Sequence, residues 1–573
     1  MNMKKMIKGL FAVSGLLLAV SCADYNDLGG FKADPDPSYN LEYTDLNAVK
    51  SYINKTDCPN MTIDAAIKLK EFNKQAFDHA VTITNFDGVA FGYSFMPAAY
   101  VSKKGYMNFM DLKEALSHTS EIDCNVHGSP IFANEQQSDE WFGALTAPIE
   151  IQVLPINDVD VDYSTAETFT GTSLRGKPAI EKDMDSKGNA LRIPKKSEVY
   201  IVEGFDLDPQ GFYTITFTVR AYKDTKKTEL DKDENIWCTF ADSLVNTGKD
   251  KNGKLIPKNF TIRPGAWQTV KVEWVPAKTA TKGYLLIEGN LNSVLYIRNV
   301  HVEHKPDNHR PQTKQEMNDT IRYALNKWCD GLMEANEGRI KSFDLIDKAL
   351  DSKAEIEPGI LDLKHSTDQI FWQDYLEDAT HTGSELYGAI VSKAASEAFV
   401  KYGGNAEELK FFVSETGLED QKRLESLKYW IKKWEDNGAK IDGINAELNL
   451  TYVENADNET VVNTLLDNLA KTGKLIRLSN FDVKYQDADG NAIMADKITK
   501  EQRQKLADYH AFVIKAYMSK IPKELQAGLC KGNIFDTSNG SGDPVGLWSK
   551  AANGDYIRNA TYEAFCKALT GLQ

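Results

Sequence analysis

From about Asn157 to Glu303 apolar residues recur at every second position, as in YTITFTV at Tyr213–Val219 and VKVEW at Val270–Trp274, between turns rich in Gly, Asp, Asn and Lys. A period of two marks strands buried on one face, so this stretch reads as an all-β sandwich. The flanks follow a different rule. Helical stretches alternate there with short strands, for example Gln421–Asn437 before Lys440–Tyr452 and Thr460–Lys471 before Lys474–Lys484. Repeated strand-helix units call for a parallel sheet, and roughly 380 residues of this pattern suit a (β/α)8 barrel. The chain is therefore expected to be α/β, a TIM barrel interrupted by an inserted β-sandwich, with barrel parts at 40–155 and 306–573 and the insertion at 156–305. Such an interruption requires only that the termini of the inserted domain lie close together.

The first residues read as an address. Lys4, Lys5 and Lys8 precede an apolar run from Leu10 to Val20, followed by Ser21 and Cys22. That is a charged region, a hydrophobic stretch and a small-residue cleavage site, and the run is too short to span a bilayer. With cysteine directly after AVS, the pattern resembles a bacterial lipoprotein signal over residues 1–21, which makes Cys22 the acylated residue. An ordinary secretory peptide cleaved near Cys22 is the alternative. Several acyl chains on one residue hold a protein stably on a membrane. Residues 22–39, rich in Gly, Pro and Asp, suit a tether. Asp24 and Asp27, close behind the cysteine, resemble the surface-export signal of Bacteroidetes lipoproteins.

Net charge is −16, which argues against nucleic acid or anionic lipid as a partner, since both reward clustered Lys and Arg. Six cysteines remain besides Cys22, and their scattered spacing fits disulfides or free buried thiols equally. No H-E-x-x-H and no glycine loop followed by Lys-Ser or Lys-Thr is present, so neither a metal nor a nucleotide cofactor is expected.

The chemistry-bearing segments lie in the flanks. GRIKSFDLIDKAL at Gly338–Leu350 resembles the acid/base strand W-D-V-V-N-E of glycoside hydrolase family 10, and KLIRLSNFDV at Lys474–Val483 resembles that family's nucleophile strand T-E-L-D. FDHAVTITNFDG at Phe77–Gly88 is similar to the strand carrying N-E-M-K, and VHGSPIFANEQQ at Val126–Gln137 to V-H-G-H-T-L-V-W-H-S-Q-Q. FWQDYL at Phe371–Leu376 looks like the helix after the acid/base strand. LKFFVSETGLE at Leu409–Glu419, IDGINAELN at Ile441–Asn449 and PVGLW at Pro544–Trp548 follow three further motifs. The resemblance thus covers most of both flanks. It implies a xylanase-like barrel that cleaves β-linked glycans with two carboxyl groups, one protonating the leaving oxygen and one attacking.

This chain departs from the family where that chemistry resides. Lys348 stands at the acid/base position and Asn480 at the nucleophile, and neither side chain can do the corresponding work. Framework positions Asp344, Gly443, Asp482 and Pro544 are kept, while Ser129, Ala133 and Asn134 replace the histidines and tryptophan that grip sugar. Three carboxylates near strand ends are the fallback. Asp347 adjoins the acid position but, one residue along a strand, is expected to face the barrel wall. Glu447 alternates with Asn445 and Asn449, and Glu415 lies on the preceding strand. Taken singly, each reads as a solvated or salt-bridged residue.

The insertion resembles jelly-roll carbohydrate-binding modules of families 4 and 22, on GFYTITFTVRA at Gly211–Ala221, PGAWQTVKV at Pro264–Val272 and VLYIRNVHV at Val294–Val302. Aromatic faces stack on sugars in such sandwiches, with polar groups fixing the hydroxyls. Candidate glycan contacts are Trp237, Tyr222 and Tyr296 in the sandwich and Asn85, Asn134 and Asn449 in the barrel, while Trp267 and Trp274 are assigned to the core. The expected function is a lipid-anchored, cell-surface protein of the outer membrane. It binds xylan or a related polysaccharide or oligosaccharide without cleaving it and passes it to a neighbouring outer-membrane transporter. The competing expectations are an active endo-xylanase with rearranged carboxylates and a scaffold whose barrel binds protein.

Overall fold

The computed structural model describes residues 43, 45–128, 130–182, 187–241, 258–276, 278–288, 292–552 and 554–570. The lipoprotein signal, Cys22, the tether and Ser129 lie outside these. The chain divides into two compact units, 1–146 with 313–573, and 147–312, against boundaries expected at 155/156 and 305/306. No described helix is long and apolar enough to cross a membrane.

The first unit is a closed parallel barrel of eight strands. In chain order these are β1 (Ile63–Ala66), β2 (Gly88–Ala90), β3 (Asn125–Gly128), β4 (Ser342–Asp347), β5 (Lys410–Thr416), β6 (Gly443–Val453), β7 (Leu475–Gln486) and β8 (Gln526–Lys531). Each pairs with the next, and Ile63 opposite Leu529 closes β8 onto β1. A second short piece, Phe132–Ala133, pairs with the far end of β4. Outside the ring lie α1 (Phe77–Asn85), α2 (Met110–Glu121), α3 (Lys314–Asn336), α4 (Gly383–Lys401), α5 (Gln421–Asp436), α6 (Glu459–Ala470), α7 (Lys500–Lys520) and α8 (Ala560–Leu569). Three of them start at reciprocal capping boxes written in the sequence: Thr313 with Glu316, Thr382 with Glu385, and Thr499 with Gln502.

Two sequence expectations need correction. Phe77–Asn85 is a helix, because its buried residues His79, Val81, Thr82 and Asn85 fall at helical spacing; the strand is the three-residue Gly88–Ala90 that follows. Phe371–Leu376 contains only a 3-10 turn at Trp372–Asp374, and the helix after β4 begins at Gly383.

The second unit is a sandwich of two antiparallel sheets. One orders the strands Lys258–Ile262, Glu234–Ala241, Lys282–Glu288, Glu198–Asp206 and Ser173–Arg175; the other orders Gln268–Trp274, Phe212–Tyr222, Val294–Lys305, Asn189–Ile193 and Ala179–Lys182. Alternate residues of Phe212–Tyr222, namely Tyr213, Ile215, Phe217, Val219 and Ala221, enter the core between the sheets with Trp274. Trp267 does not. It packs half-buried against Ala190, Tyr222, Val294 and Tyr296, a separate cluster, with the Arg298 guanidinium 4.2 Å from its ring. The six cysteines Cys58, Cys124, Cys238, Cys329, Cys530 and Cys566 are all free thiols.

Candidate functional site

Ion pairs fill the barrel interior. Arg477 on β7 meets Asp64 on β1 at 2.7 Å, Asp344 on β4 meets His127 at 3.0 Å and accepts from Asn445 Nδ2 at 2.9 Å, and Asp482 on β7 pairs with Lys531 on β8. These groups are buried and paired, so burial does not leave them as lone charges, although Asp64 Oδ1, Arg477 Nε and Asn445 Oδ1 have no hydrogen-bond partner among the described residues. Burial is also the main reason the His127 imidazole is held neutral, below its ordinary range.

One step nearer the C-terminal strand ends a second cluster forms. The β4–β5 register breaks between Asp344 and Ile346, so β4 carries an extra residue, and Lys348, with φ +48°, takes the left-handed conformation. Simple alternation is thereby lost, and both Asp347 and Lys348 face the same group of side chains. The Lys348 ammonium lies 3.0 Å from Glu447 Oε2 and 3.7 Å from Asp347 Oδ2, and donates to the Tyr93 hydroxyl at 3.0 Å. Tyr93 in turn donates to Asp347 Oδ2 at 2.8 Å, and Ser414 Oγ donates to Glu447 Oε1 at 3.4 Å. The expectation that Asp347 faces the barrel wall is therefore incorrect, and the bulge is the cause.

Burial, reinforced by Glu447 and opposed by Lys348, pushes the Asp347 carboxyl up to about 7. Burial favours a neutral Lys348, yet the carboxylates of Asp347 and Glu447 outweigh it and hold its proton above the ordinary lysine range. An acid that releases its proton so reluctantly is poorly matched to protonating a leaving group near neutral pH.

Asn480 also occupies a bulge. Glu447 pairs with Ser479 and Asn449 with Asp482, so two residues of β7 face one of β6, and Asn480 has φ +46°. Its side chain is half-buried and hydrogen-bonds no described residue. A neutral amide in this position has no anionic oxygen with which to attack an anomeric carbon.

The other candidates separate by strand face. Asn449 is exposed two residues beyond Glu447 on the same face of β6. Asn134, after the Ala133 that pairs with Asp347, accepts from Gln373 Nε2 at 3.2 Å. Glu415 points away from the barrel interior, 1% exposed, and pairs with Arg423 at 2.8 Å while accepting from the Leu350 and Thr416 amides, so it is not near the other two carboxylates as expected. Asn85 is likewise corrected: it closes α1 in the interior, donating to the Val81 carbonyl and accepting from the Tyr562 hydroxyl at 2.8 Å. Tyr222 and Tyr296, each 1% exposed, pack edge-on against each other and offer no open ring face to a sugar. The Trp237 side chain lies outside the described residues. Tyr93 is the group that sequence reasoning missed. Placing the strand at Phe77 to Gly88 hid it, although GVAFG at Gly88–Gly92, an apolar run ended by glycine, marks the true strand end.

Residues 303–526 are similar to the family described as Glycosyl hydrolase family 10. Among solved structures, the endo-1,4-beta-xylanase XylE of Penicillium canescens aligns over 92% of this chain and 98% of its own, with 11% identity and a TM-score of 0.49. Xylanase B from Clostridium stercorarium F9 aligns over 91% and 99%, with 12% identity and a TM-score of 0.49. Comparison with curated protein sequences gives no match.

Proposed function

We propose that the chain is a glycan-binding protein built on a glycosyl hydrolase family 10 barrel that no longer cleaves its ligand. One observation supports this above others: a lysine ammonium paired with Glu447 and Asp347 stands where the resemblance puts the family's acid/base group, and an asparagine where it puts the nucleophile. Xylan or another β-linked polysaccharide is the proposed ligand, because residues 303–526 are similar to a family of glycosyl hydrolases that act on such polymers. The N-terminal pattern ending in Cys22 supports anchoring at the outer membrane, facing outward, where captured glycan passes to a transporter.

A second function is favoured by one feature. Asp347 and Glu447 converge on one ammonium, and the Asp347 carboxyl titrates near 7, as a general acid does. Hydrolysis through this pair requires Lys348 to move out from between them. Affinity electrophoresis in soluble xylan and other polysaccharides, with reducing ends assayed in the same samples, separates the two. Retardation without new reducing ends is expected, and steady release of oligosaccharides would falsify the non-hydrolytic assignment.

A further inference from the structure

A ladder of aromatic rings runs outward from the first unit's core beside β1 and β8. Tyr562 packs edge-on against Trp548 at 5.0 Å, Trp548 against Phe535 at 6.0 Å, and Phe535 against Tyr556 at 4.5 Å. Phe77 stacks on the outer end, 5.7 Å from Phe535 and 5.9 Å from Tyr556, at interplanar angles of 27° and 25°. Unlike the inner rings, Phe77 is 42% exposed. With two rings on one of its faces, the other is open to water.

The support beneath it is rigid. Asp536, next to Phe535, is buried in a two-pronged pair with Arg503 and also accepts from Ser549 Oγ and the Gly546 amide. Ser538 and Asn539 both hold left-handed backbone conformations, at φ +48° and +58°. Such conformations persist in non-glycine residues only where their surroundings enforce them. Here Asn539 Oδ1 accepts from Lys550 Nζ at 2.8 Å and from the Tyr556 hydroxyl at 3.1 Å, which fixes the Tyr556 ring. Asp78, exposed, directly follows Phe77 at the start of α1.

Phe77 lies on the connection after β1, and Phe535 and Tyr556 on the connection after β8. Connections leaving the C-terminal strand ends are where barrels of this kind build their sites. A fixed aromatic face beside a carboxylate matches the C–H face and hydroxyl edge of a pyranose ring. We propose that Phe77, held by Phe535 and Tyr556, is a stacking platform for one sugar ring of the bound polysaccharide, with Asp78 accepting from its hydroxyls. This rests on the glycan-binding function proposed above and adds a contact remote in sequence from Lys348 and Asn480.

The test is affinity electrophoresis of the purified full chain in soluble xylan and in soluble mixed-linkage β-glucan, comparing wild type with Phe77→Ala, Phe77→Trp and Tyr556→Phe. Phe77→Ala is expected to bind about three- to tenfold more weakly, as befits the loss of one aromatic contact. Phe77→Trp, which keeps a ring face, is expected to stay within about twofold of wild type, while Tyr556→Phe, which loses the hydroxyl bond to Asn539 that fixes the supporting ring, is expected to fall between Phe77→Ala and wild type. Equal affinity of Phe77→Ala and wild type overturns the platform alone. A wild type retarded by neither polymer overturns the platform together with the glycan-binding function. Release of reducing ends with the Phe77→Ala loss intact overturns only the claim that the protein does not cleave its ligand, and supports the platform.

Discussion

Lys348 Nζ lies 3.0 Å from Glu447 Oε2, joining the end of β4 to the middle of β6 across the intervening β5. Ser414 of β5 supports both sides of this link, since its carbonyl accepts from the Lys348 amide at 2.9 Å and its hydroxyl donates to Glu447. The lysine thus ties three neighbouring strands together.

Removing that ammonium should leave two poorly solvated carboxylates facing each other. Lys348→Met is expected to cost about 2–4 kcal/mol at pH 8, slightly below the usual penalty for breaking a buried pair because Lys348 is partly exposed. The cost should shrink at pH 5.5, where Asp347, already raised to about 7, is protonated. Urea denaturation at both pH values checks this, and an equal penalty at both would show that the charge pair is unimportant.

Glu415 and Glu447 are predicted to behave oppositely. Glu415→Gln breaks a buried pair with Arg423 and should lower stability by about 2–3 kcal/mol while leaving glycan retardation unchanged. Glu447→Gln should alter retardation, because it frees Lys348 at the strand ends. Denaturation and affinity electrophoresis on the two purified variants distinguish the roles.

Stability should fall on acidification. Burial, with a smaller contribution from His118, lowers the His79 pKa to about 4, and burial, with Lys531, lowers that of His510 to about 3. The unfolded chain takes up these protons near 6.5 and the folded chain does not, so stability present above pH 6.5 is lost as pH falls. Each histidine contributes a loss of about 2 kcal/mol between pH 7 and 5. Asp347 acts in the opposite sense, since its folded carboxyl binds a proton near 7 and its unfolded one only near 4. Asp347→Asn should therefore steepen the acid loss and His79→Gln should flatten it, as read from denaturation midpoints across this range.

Gly443 opens β6 where no side chain fits. A Cβ there would sit 2.3 Å from the Phe412 ring and 2.7 Å from the Leu475 carbonyl oxygen. Gly443→Ala is expected to cost about 2–3 kcal/mol, because one of the two obstacles is backbone and cannot turn aside. A thermal midpoint within a degree or so of wild type would contradict this.

Local periodicity located the elements where period and length agreed. Helix α5 at Gln421–Asp436 and strand β7 at Leu475–Gln486 lie within two residues of the ranges expected from their patterns. At Phe77–Asn85 the resemblance to a family strand misled, although His79, Thr82 and Asn85 recur at the helical interval. The failures at the site share a different cause. Asp347 was placed on the wrong face because alternation assumes a regular strand, and a bulge, with a left-handed residue after it, is set by what the neighbouring strand must accommodate. Tyr222 and Tyr296 were expected to contact sugar because aromatic faces stack on sugars in the sandwiches the insertion resembles, yet burial depends on what packs above them.

What the sequence determined by itself was the architecture, since hydrophobic period, capping pairs and framework residues such as Asp344 and Gly443 are local or nearly local properties of the chain. The expectation that Lys348 and Asn480 stand where glycoside hydrolase family 10 keeps its two carboxyl groups comes from the resemblance of their segments to that family's strands. The tertiary structure alone decided that the lysine lies between Asp347 and Glu447, that Tyr93 completes the group, and that Glu415 is turned away to Arg423. Glu447 and Tyr93 reach Lys348 from 99 and 255 positions away, and the geometry of the group follows from two bulges and a closed ring of strands, neither of which any short stretch of sequence specifies.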